Sequence, residues 1–519
     1  MKKIRDLFWI LPSSLALGLI LSLLDGGTWW IGWLAYSTLL TFGLLAMAAT
    51  CRSVGSSRTL LLVLLLALLL RLGLGVAFSF ILPPYGNDNE MQDAGYIFRD
   101  SYQRDHQAWE LAASDAPLWQ AFDKSYSTDQ YGGLLFVSAS LYRTLSPDTH
   151  RSWLVILLAA LTAAIGVGLA FKAARAAWGD KMAFLTAWIL ALYPESILQG
   201  SAQMREPFLI TFIAMVFWGI ASRQESRWKS ALWMGGGLIG MSLFSPGVAV
   251  AVIVILPVWV WLSEKQIRLH WGWGVGVVGL AVVAALLLWQ GLARGSFAGA
   301  SFIETLGKWL KYTADWDAYL TQRASDGLQP LFDALPESLH IPLVTVYGVA
   351  QPFLPAAVFA PGVWPMRTLG ILRGLGWYAL LPFLLYSLRP ILKTTEKHER
   401  LPWLWLWLVS WAWILLSSFR AGGDQWDNPR YRVILLVFQA VLAVFALFWA
   451  RKTRDHWLGR VLLVEGVFLV VFGYWYAGRY SGWLLKSPSF SEAMVIITVI
   501  GSLILVGGWL WDCKEKLRA

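Results

Sequence analysis

Long apolar runs separated by short polar segments repeat along almost the whole of this chain. The runs are about 17 to 25 residues long, the length that an α-helix needs to cross roughly 30 Å of hydrocarbon. Because a span must satisfy its own backbone hydrogen bonds inside a bilayer, the runs predict transmembrane helices. About fourteen are predicted, at 7–24, 29–50, 59–82, 152–171, 182–200, 207–221, 230–244, 248–262, 272–292, 367–388, 401–418, 431–450, 457–477 and 489–511. The predicted fold class is all-α, a polytopic transmembrane helical bundle.

Basic residues follow one side of these spans. If the N-terminus is cytoplasmic, every predicted inner segment carries Lys or Arg, as short cytoplasmic loops do. We therefore expect a multi-pass plasma-membrane protein with both termini in the cytoplasm. The net charge of +10 is accounted for by these segments lying against anionic membrane lipids, so no nucleic-acid partner is expected.

The same topology places the polar loop 83–151 outside the cell, and this loop holds ten of the 32 acidic residues. Asp88, Glu90 and Asp93 follow the third span closely, with Tyr96 next along the chain. A carboxylate at the edge of the hydrocarbon loses solvation, which raises its pKa and makes it a better general base. The alternative is a solvated acidic loop without a catalytic role.

Three arginines, Arg420, Arg430 and Arg432, lie in the stretch 419–438, which holds the outer segment 419–430 and the start of the next span, although outer loops are usually poor in basic residues. Arginine binds phosphate oxygens in a bidentate manner, so a lipid phosphate is the expected ligand. Ion pairs with the two aspartates of the segment, or ordinary phospholipid contact, are the alternatives.

Two further outer segments carry charge. Arg205 and Glu206 lie at or just inside the outer surface, where a buried charge is costly unless it is paired or used. The segment 294–340 is amphipathic and predicts an interfacial helix.

The apolar stretch 341–363 is interpreted as a Pro-broken interfacial or re-entrant segment, because counting it as a span would place the basic segment after 388 outside.

These motifs together resemble the GT-C glycosyltransferases, and most closely the branch with protein O-mannosyltransferases and the aminoarabinose transferases of lipid A. The resemblance rests on the acidic motif after an early span, YGGLLFVSASLYRTLSPDTHRSW before the next span, an acid at the outer end of the following hairpin, and PRYR opening a late span. It runs loosely from about residue 59 to 450. It implies a catalytic core at 59–450, including outer loop 83–151 and outer segment 293–366, with accessory hairpins at 1–58 and 451–519.

The resemblance also implies roles for single residues. Asp93, followed by Tyr96, matches the first-loop acid of the family and would be the catalytic base. Glu90 and Asp88 stay open as alternatives, because the family has an adjacent acidic pair and this chain has Asp93-Ala94. The implied substrate-binding residues are Arg430, Arg432, Tyr431, Arg420, Arg205, Glu206 and Tyr96.

The function implied is transfer of a sugar from a polyprenyl-phosphate donor to an extracytoplasmic lipid, glycan or protein acceptor, by inverting single displacement. The chain has no GxxxxGK[ST] motif, which agrees with a donor that is not a nucleotide. A divalent cation that bridges carboxylates and phosphate is an open alternative as cofactor. A surface polysaccharide polymerase or ligase, a transporter of lipid-linked substrates, and a membrane protein without chemistry are the competing hypotheses.

Overall fold

We describe the chain from a computed structural model, which covers residues 9–53, 55, 58–123, 126, 129–224, 226–263, 304, 307–308, 311–312, 315, 329–480 and 488–518. These residues form helices and connecting loops without a β-strand, so the predicted all-α fold class is confirmed. Two compact units are distinguished. Unit 1 comprises Met1–Val258, Ile267–Thr305 and Val433–Val437, and unit 2 comprises Trp259–Gln266, Leu306–Arg432 and Phe438–Ala519. The division into a catalytic core and two accessory hairpins remains a prediction.

The α-helices are numbered in chain order. Unit 1 contains α1 (Ile10–Asp25), α2 (Trp29–Arg52), α3 (Arg58–Tyr85), α4 (Glu90–Asp93), α5 (Arg99–Ala113), α6 (Gly133–Leu145), α7 (Trp153–Trp178), α8 (Asp180–Leu192), α9 (Pro194–Gly200), α10 (Glu206–Ala221), α11 (Arg227–Phe244) and most of α12 (Pro246–Ser263). Unit 2 contains α13 (Gln329–Ala334), α14 (His340–Ala350), α15 (Leu354–Phe359), α16 (Trp364–Tyr386), α17 (Leu388–Lys393), α18 (Lys397–Ala421), α19 (Asp427–Arg432), most of α20 (Leu436–Thr453), α21 (Trp457–Tyr480) and α22 (Phe490–Arg518).

Nine helices of the described residues are long and apolar enough to cross a membrane, or up to ten if α8 and α9 form one span. The chain is therefore a multi-pass membrane protein. The predicted number of fourteen spans is not confirmed, because α1 and α10 are shorter apolar helices and α11 is not among the helices long and apolar enough to cross a membrane. The predicted span 272–292 and most of the amphipathic segment 294–340 lie outside the described residues.

Helix α7 forms the centre of unit 1, and 83% of its apolar window is buried inside the protein. It packs against α3, α8 and α10. Small residues permit this close approach: a Cβ added at Gly166 would lie 2.3 Å from Oγ1 of Thr211 on α10. The Thr211 hydroxyl in turn donates a hydrogen bond to the carbonyl of Thr162 at 2.9 Å. Small residues and interhelical hydrogen bonds are the usual means by which helices associate inside a membrane.

The predicted span 182–200 is not one straight helix. Its two parts, α8 and α9, are bent by 58° where Pro194 begins α9. Proline lacks an amide N–H and disfavours the helical conformation of the residue before it, so the helix ends there and a new one starts.

Arg71, the one charge in the middle of the predicted third span, lies against this bend and is 1% exposed. Its guanidinium donates to the carbonyls of Leu190 and Ala191 at 2.9 and 3.1 Å and to the Ser196 hydroxyl at 2.9 Å. The last carbonyls of a helix have no partner within the helix, and they favour a cation. Arg71 therefore completes the hydrogen bonding of the broken helix.

The polar loop 83–151 folds into helices between α3 and α7. Helix α5 is amphipathic and packs against α6. The N-terminus of α6 is capped by Asp129, whose Oδ2 accepts hydrogen bonds from the amides of Leu134 and Leu135 at 2.9 and 3.0 Å. The cap satisfies two of the amides that a helix start leaves without partners, and so fixes α6 in the loop.

In unit 2 the apolar stretch 341–363 is broken as predicted. Helices α14 and α15 are separated at Gln351–Phe353, and the Gln351-Pro352 peptide bond is cis. Neither helix is long enough to cross a membrane on its own. The sidedness of the helices that follow remains a prediction.

Candidate active site

The three candidate acids of the polar loop 83–151, Asp88, Glu90 and Asp93, lie together in sequence on and beside the single turn of α4. Asn89 caps this turn by accepting the amide of Gln92 at 3.0 Å. Asp88, Glu90 and Asp93 are all exposed, so protein atoms do not desolvate them. Glu90 accepts a hydrogen bond from the Tyr102 hydroxyl at 2.8 Å. Three exposed carboxylates therefore lie within a few residues of the end of α3.

A fourth acid of the loop, Asp105, is fully buried on the inner face of α5. It accepts hydrogen bonds from the hydroxyls of Tyr96 and Tyr142. Nε2 of His150 forms an ion-pair contact with Asp105 Oδ2 at 2.9 Å. Burial raises the pKa of Asp105, but His150 and the two tyrosine hydroxyls outweigh it and hold the pKa below its usual value.

His150 is the counterpart of this carboxylate, and its side chain is 25% exposed. Burial lowers the pKa of His150, but the charge of Asp105 outweighs burial and raises the pKa above its ordinary value. The imidazole also stacks on Trp109, with ring centroids 5.3 Å apart and an interplanar angle of 21°. The ring is therefore held in one orientation and carries positive charge over a wider pH range than a free histidine.

Another buried acid, Asp129, lies between two arginines. Its Oδ1 is 3.9 Å from Nε of Arg104 and 3.8 Å from Nη1 of Arg205. The guanidinium of Arg205 also lies 5.3 Å from the ring centre of Tyr131. Arg205, a predicted substrate-binding residue, thus has a charge partner within the protein, and only 13% of its side chain is exposed.

Glu206 begins α10 and is 2% exposed. Pro207 follows it at the start of the helix, where a missing amide N–H costs nothing. A carboxylate at a helix N-terminus is stabilised by the helix dipole. Burial this deep favours a structural contribution to α10 over direct contact with a substrate.

The predicted arginine cluster lies in unit 2, where α18 ends and α19 begins. Arg420 is exposed and its guanidinium lies 4.5 Å from the ring centre of Tyr431. Arg430 approaches the same ring at 5.4 Å, and its Nη1 is 3.2 Å from Asp427 Oδ1. Tyr431 thus lies between two guanidinium groups, each at cation–π distance from its ring.

Arg432, predicted to bind the donor phosphate, is placed differently. It is 1% exposed and donates to the carbonyls of Gln351 at 2.7 Å and Val349 at 3.5 Å. Its guanidinium lies 3.4 Å from the ring centre of Trp377. These contacts satisfy carbonyl groups at the C-terminal end of α14. The packing of unit 2 therefore explains the position of Arg432.

Sequence reasoning missed the Asp105–His150 pair and the burial of Arg104 and Asp129. A signal was available in α5, because Arg104 and Asp105 are in phase with the apolar positions Ala108 and Leu111 at helical spacing. Charged residues on the apolar face of a helix indicate a buried network. Arg373 was missed as well: it lies 3% exposed in unit 2, with its guanidinium 4.6 Å from the ring centre of Trp426.

The part of the chain that the structure describes contains no cluster of side chains that could bind a divalent cation. No three His, Cys, Asp or Glu side chains there lie close enough together to hold a metal ion. We therefore derive no step through a cation.

Comparison with known proteins gives distant similarity only. No protein-family model matches the chain, and no curated protein matches it by sequence. The apo structure of the Archaeoglobus fulgidus oligosaccharyltransferase is similar with 12% identity and a TM-score of 0.42, over 85% of this chain and 56% of that one. Oligosaccharyltransferase AglB of the same organism, in complex with an inhibitory peptide and a dolichol-phosphate, is similar with 13% identity and a TM-score of 0.37, over 86% and 54%.

The chain thus spans little more than half of the length of either similar structure. Both are named as oligosaccharyltransferases, and the motifs of this sequence likewise resemble membrane glycosyltransferases. At TM-scores below 0.5 this likeness does not carry activity or substrates over to this chain.

Proposed function

We propose that this protein is a membrane glycosyltransferase that moves a sugar from a polyprenyl-phosphate donor to an acceptor hydroxyl outside the cell. The observation that carries the proposal is the arrangement of Arg420, Tyr431 and Arg430 at the start of the apolar helix that runs over Asp427–Thr453. A lipid phosphate lies at the boundary of the hydrocarbon, which is where a span begins. Arginine held beside an aromatic ring at that depth is suited to its oxygens.

The reaction that fits these groups is a single displacement. The acceptor oxygen attacks the anomeric carbon of the donor sugar, and its proton passes to the carboxylate of Asp93. The bond between the anomeric carbon and the phosphate oxygen breaks, and the electron pair leaves with the polyprenyl phosphate. The configuration at the anomeric carbon inverts. Glu90 and Asp88 are the alternative bases, because all three carboxylates are exposed in the same short segment.

The arginines have different parts in this proposal. Arg420, which is exposed, stabilises the negative charge on the leaving phosphate, and Arg430, which is 4% exposed and paired with Asp427, adds its positive charge from the other side of the Tyr431 ring. Arg432 acts as a positioning residue, since its guanidinium is bonded to the carbonyls of Val349 and Gln351. Arg205 stabilises unit 1 through Asp129 and contributes less to donor binding.

The test is transfer of labelled sugar in proteoliposomes from a panel of polyprenyl-phosphate sugars. Asp93→Asn is expected to abolish turnover and to retain donor binding, whereas Arg430→Ala is expected to lose both. Exposed charges elsewhere provide matched controls: Asp115→Asn in the same loop and Arg451→Ala at the end of α20 are expected to keep full turnover.

Each other outcome has a definite meaning. Full turnover in Asp93→Asn, with loss in Glu90→Gln or Asp88→Asn, would move the base to that residue. Transfer of a preassembled glycan, without transfer of a single sugar, would identify a polysaccharide ligase. Absence of turnover and of donor binding with every member of the panel would refute the proposal.

The mid-span charge of α3 does not favour transport as a second function. Transport predicts charges that line a path through the bundle, near the middle of the membrane. Arg71, the mid-span charge of α3, instead donates to carbonyls and a hydroxyl at the bend between α8 and α9.

A further inference from the structure

Half-exposed aromatic rings form a continuous row beside the acids of the first outer loop. Tyr102, His106 and Trp109 follow one another at helical spacing along α5, on the face next to its buried side. The ring centroids of Tyr102 and His106 are 4.3 Å apart with the ring planes at 54°, and those of His106 and His150 are 5.8 Å apart with the planes at 75°, so each ring turns its face in a different direction. His150 in turn stacks on Trp109 at 5.3 Å. We call these four rings the aromatic platform.

Polar groups on the buried side of the aromatic platform fix the positions of its rings. Asp105 fixes His150 through the ion-pair contact at 2.9 Å, and the ring of Tyr142 meets His150 edge-on at 5.2 Å. Nδ1 of His106 lies 2.9 Å from the Tyr102 carbonyl, which fixes that imidazole on its own helix. A belt of aromatic residues that only anchors a protein in the headgroup region requires no such buried carboxylate. The rings are therefore preorganised in the manner of a binding surface.

One edge of the aromatic platform joins the proposed catalytic acids. The Tyr102 hydroxyl donates to Glu90 at 2.8 Å, and Glu90 is on the same turn as Asp93. Whatever lies on the platform therefore has a carboxylate beside it. The acceptor is the substrate whose hydroxyl must meet that carboxylate in the proposed reaction.

The chemistry of this surface selects among acceptors. One face of a sugar ring consists of C–H groups with partial positive charge, which stack on the negative face of an aromatic ring. Its rim of hydroxyls forms strong hydrogen bonds with ionised side chains, and the carboxylate of Glu90 lies at the edge of these rings beside the Tyr102 hydroxyl.

We propose that the acceptor is a glycan and that one of its sugar rings lies on the aromatic platform, with its reacting hydroxyl towards Glu90 and Asp93. This inference rests on the proposed glycosyl transfer for the direction of the hydroxyl. Sugar binding by the platform does not depend on that reaction and can be measured separately.

The test uses methyl glycosides of glucose, galactose, mannose and N-acetylglucosamine as probes, with the full-length protein in lipid nanodiscs. Transfer of NMR saturation from the protein to the sugar C–H protons reports binding, and the same measurement with a serine-containing peptide tests the competing acceptor. At least one glycoside is expected to bind wild type. Tyr102→Ala and His106→Ala are expected to raise its dissociation constant about 2-fold to 12-fold, the range of one aromatic contact.

Two further variants separate stacking from other effects. Tyr102→Phe keeps the ring without the hydroxyl, so it should bind glycosides nearly as wild type does. Trp119→Ala removes an aromatic side chain that is 70% exposed in the same loop but outside the aromatic platform, and it should bind as wild type. Equal thermal unfolding of all variants would show that the loop is intact.

The outcomes distinguish the two proposals. Glycoside binding that is lost only in the platform variants supports the inference, even if no sugar transfer from a polyprenyl-phosphate donor can be detected. Donor turnover with unchanged glycoside binding in Tyr102→Ala and His106→Ala would refute sugar binding by the aromatic platform. It would leave the proposed glycosyl transfer unaffected. Binding of the peptide and of no glycoside, or of neither probe, would also overturn it.

Discussion

Replacing Asp105 by asparagine removes the negative charge at the centre of the buried network in the polar loop 83–151. The carboxylate is fully buried. It accepts hydrogen bonds from the hydroxyls of Tyr96 and Tyr142 and forms an ion-pair contact with the imidazole of His150. The two hydroxyls donate to different oxygens of the carboxylate, so an asparagine in the same orientation offers its carbonyl oxygen to one hydroxyl and its NH2 group to the other. The change is isosteric, and its effect therefore reports the charge and the hydrogen bonds.

The magnitude follows from these contacts. Loss of one hydrogen bond to a charged group costs about 1.5–3 kcal/mol. Loss of the ion pair with His150, which keeps a quarter of its surface exposed, adds about 1 kcal/mol. We therefore expect Asp105→Asn to lower the free energy of unfolding by about 3 kcal/mol.

The assay is unfolding by SDS titration in mixed micelles, applied to a double-mutant cycle of Asp105→Asn and His150→Gln. The pKa of His150 is raised in the folded protein, so the stabilisation by its charge is complete below the unfolded pKa. It is lost as the pH rises through the folded pKa. The pKa of Asp105 is lowered, so this carboxylate stays charged over the same interval.

The coupling energy of the two substitutions should therefore be about 1 kcal/mol near pH 6 and decrease towards pH 9. A coupling below about 0.5 kcal/mol at both pH values would show that the two groups act independently. A coupling that is independent of pH would refute the assigned charge of His150.

Three further substitutions test the fold, each by the same unfolding assay. Arg71→Leu should cost about 3 kcal/mol or more, because it leaves the carbonyls at the helix bend without donors. Gly133→Ala should cost about 2–3 kcal/mol, because its Cβ would lie 2.1 Å from the Leu243 carbonyl oxygen; Gly235→Ala, with nothing within 4 Å, is the matched control. Arg432→Lys should cost about 1–2 kcal/mol, because an ammonium cannot both stack on a ring and bond two carbonyls.

The outcomes that would contradict these expectations are also defined. Wild-type stability in Arg71→Leu would mean that the bend needs no donor from α3. Equal effects of the two glycine substitutions would mean that the close approach of α6 to α11 does not constrain unit 1. Loss of donor binding in Arg432→Lys, at unchanged stability, would indicate that Arg432 binds the donor phosphate directly.

The sequence by itself determined the class of the protein and the segments of interest. Apolar runs of membrane length require helices, since a bilayer supplies no partner for backbone N–H and C=O groups. This is why the all-α fold was predicted correctly and why the Pro-broken stretch near Gln351-Pro352 was recognised. The concentration of charge at Asp88–Asp93 and at Arg420–Arg432 was likewise visible, because charge is rare in such a chain.

Only the tertiary structure decided which charges are exposed and which are buried. Asp93 and Asp105 are both acids of one loop, yet the first is exposed at the end of a single turn and the second is enclosed between α5 and α6. Arg430 and Arg432 are two residues apart, and only Arg432 reaches the carbonyls that end α14. Burial and pairing depend on neighbours that are distant in sequence, and a pattern of residue types along the chain does not specify those neighbours.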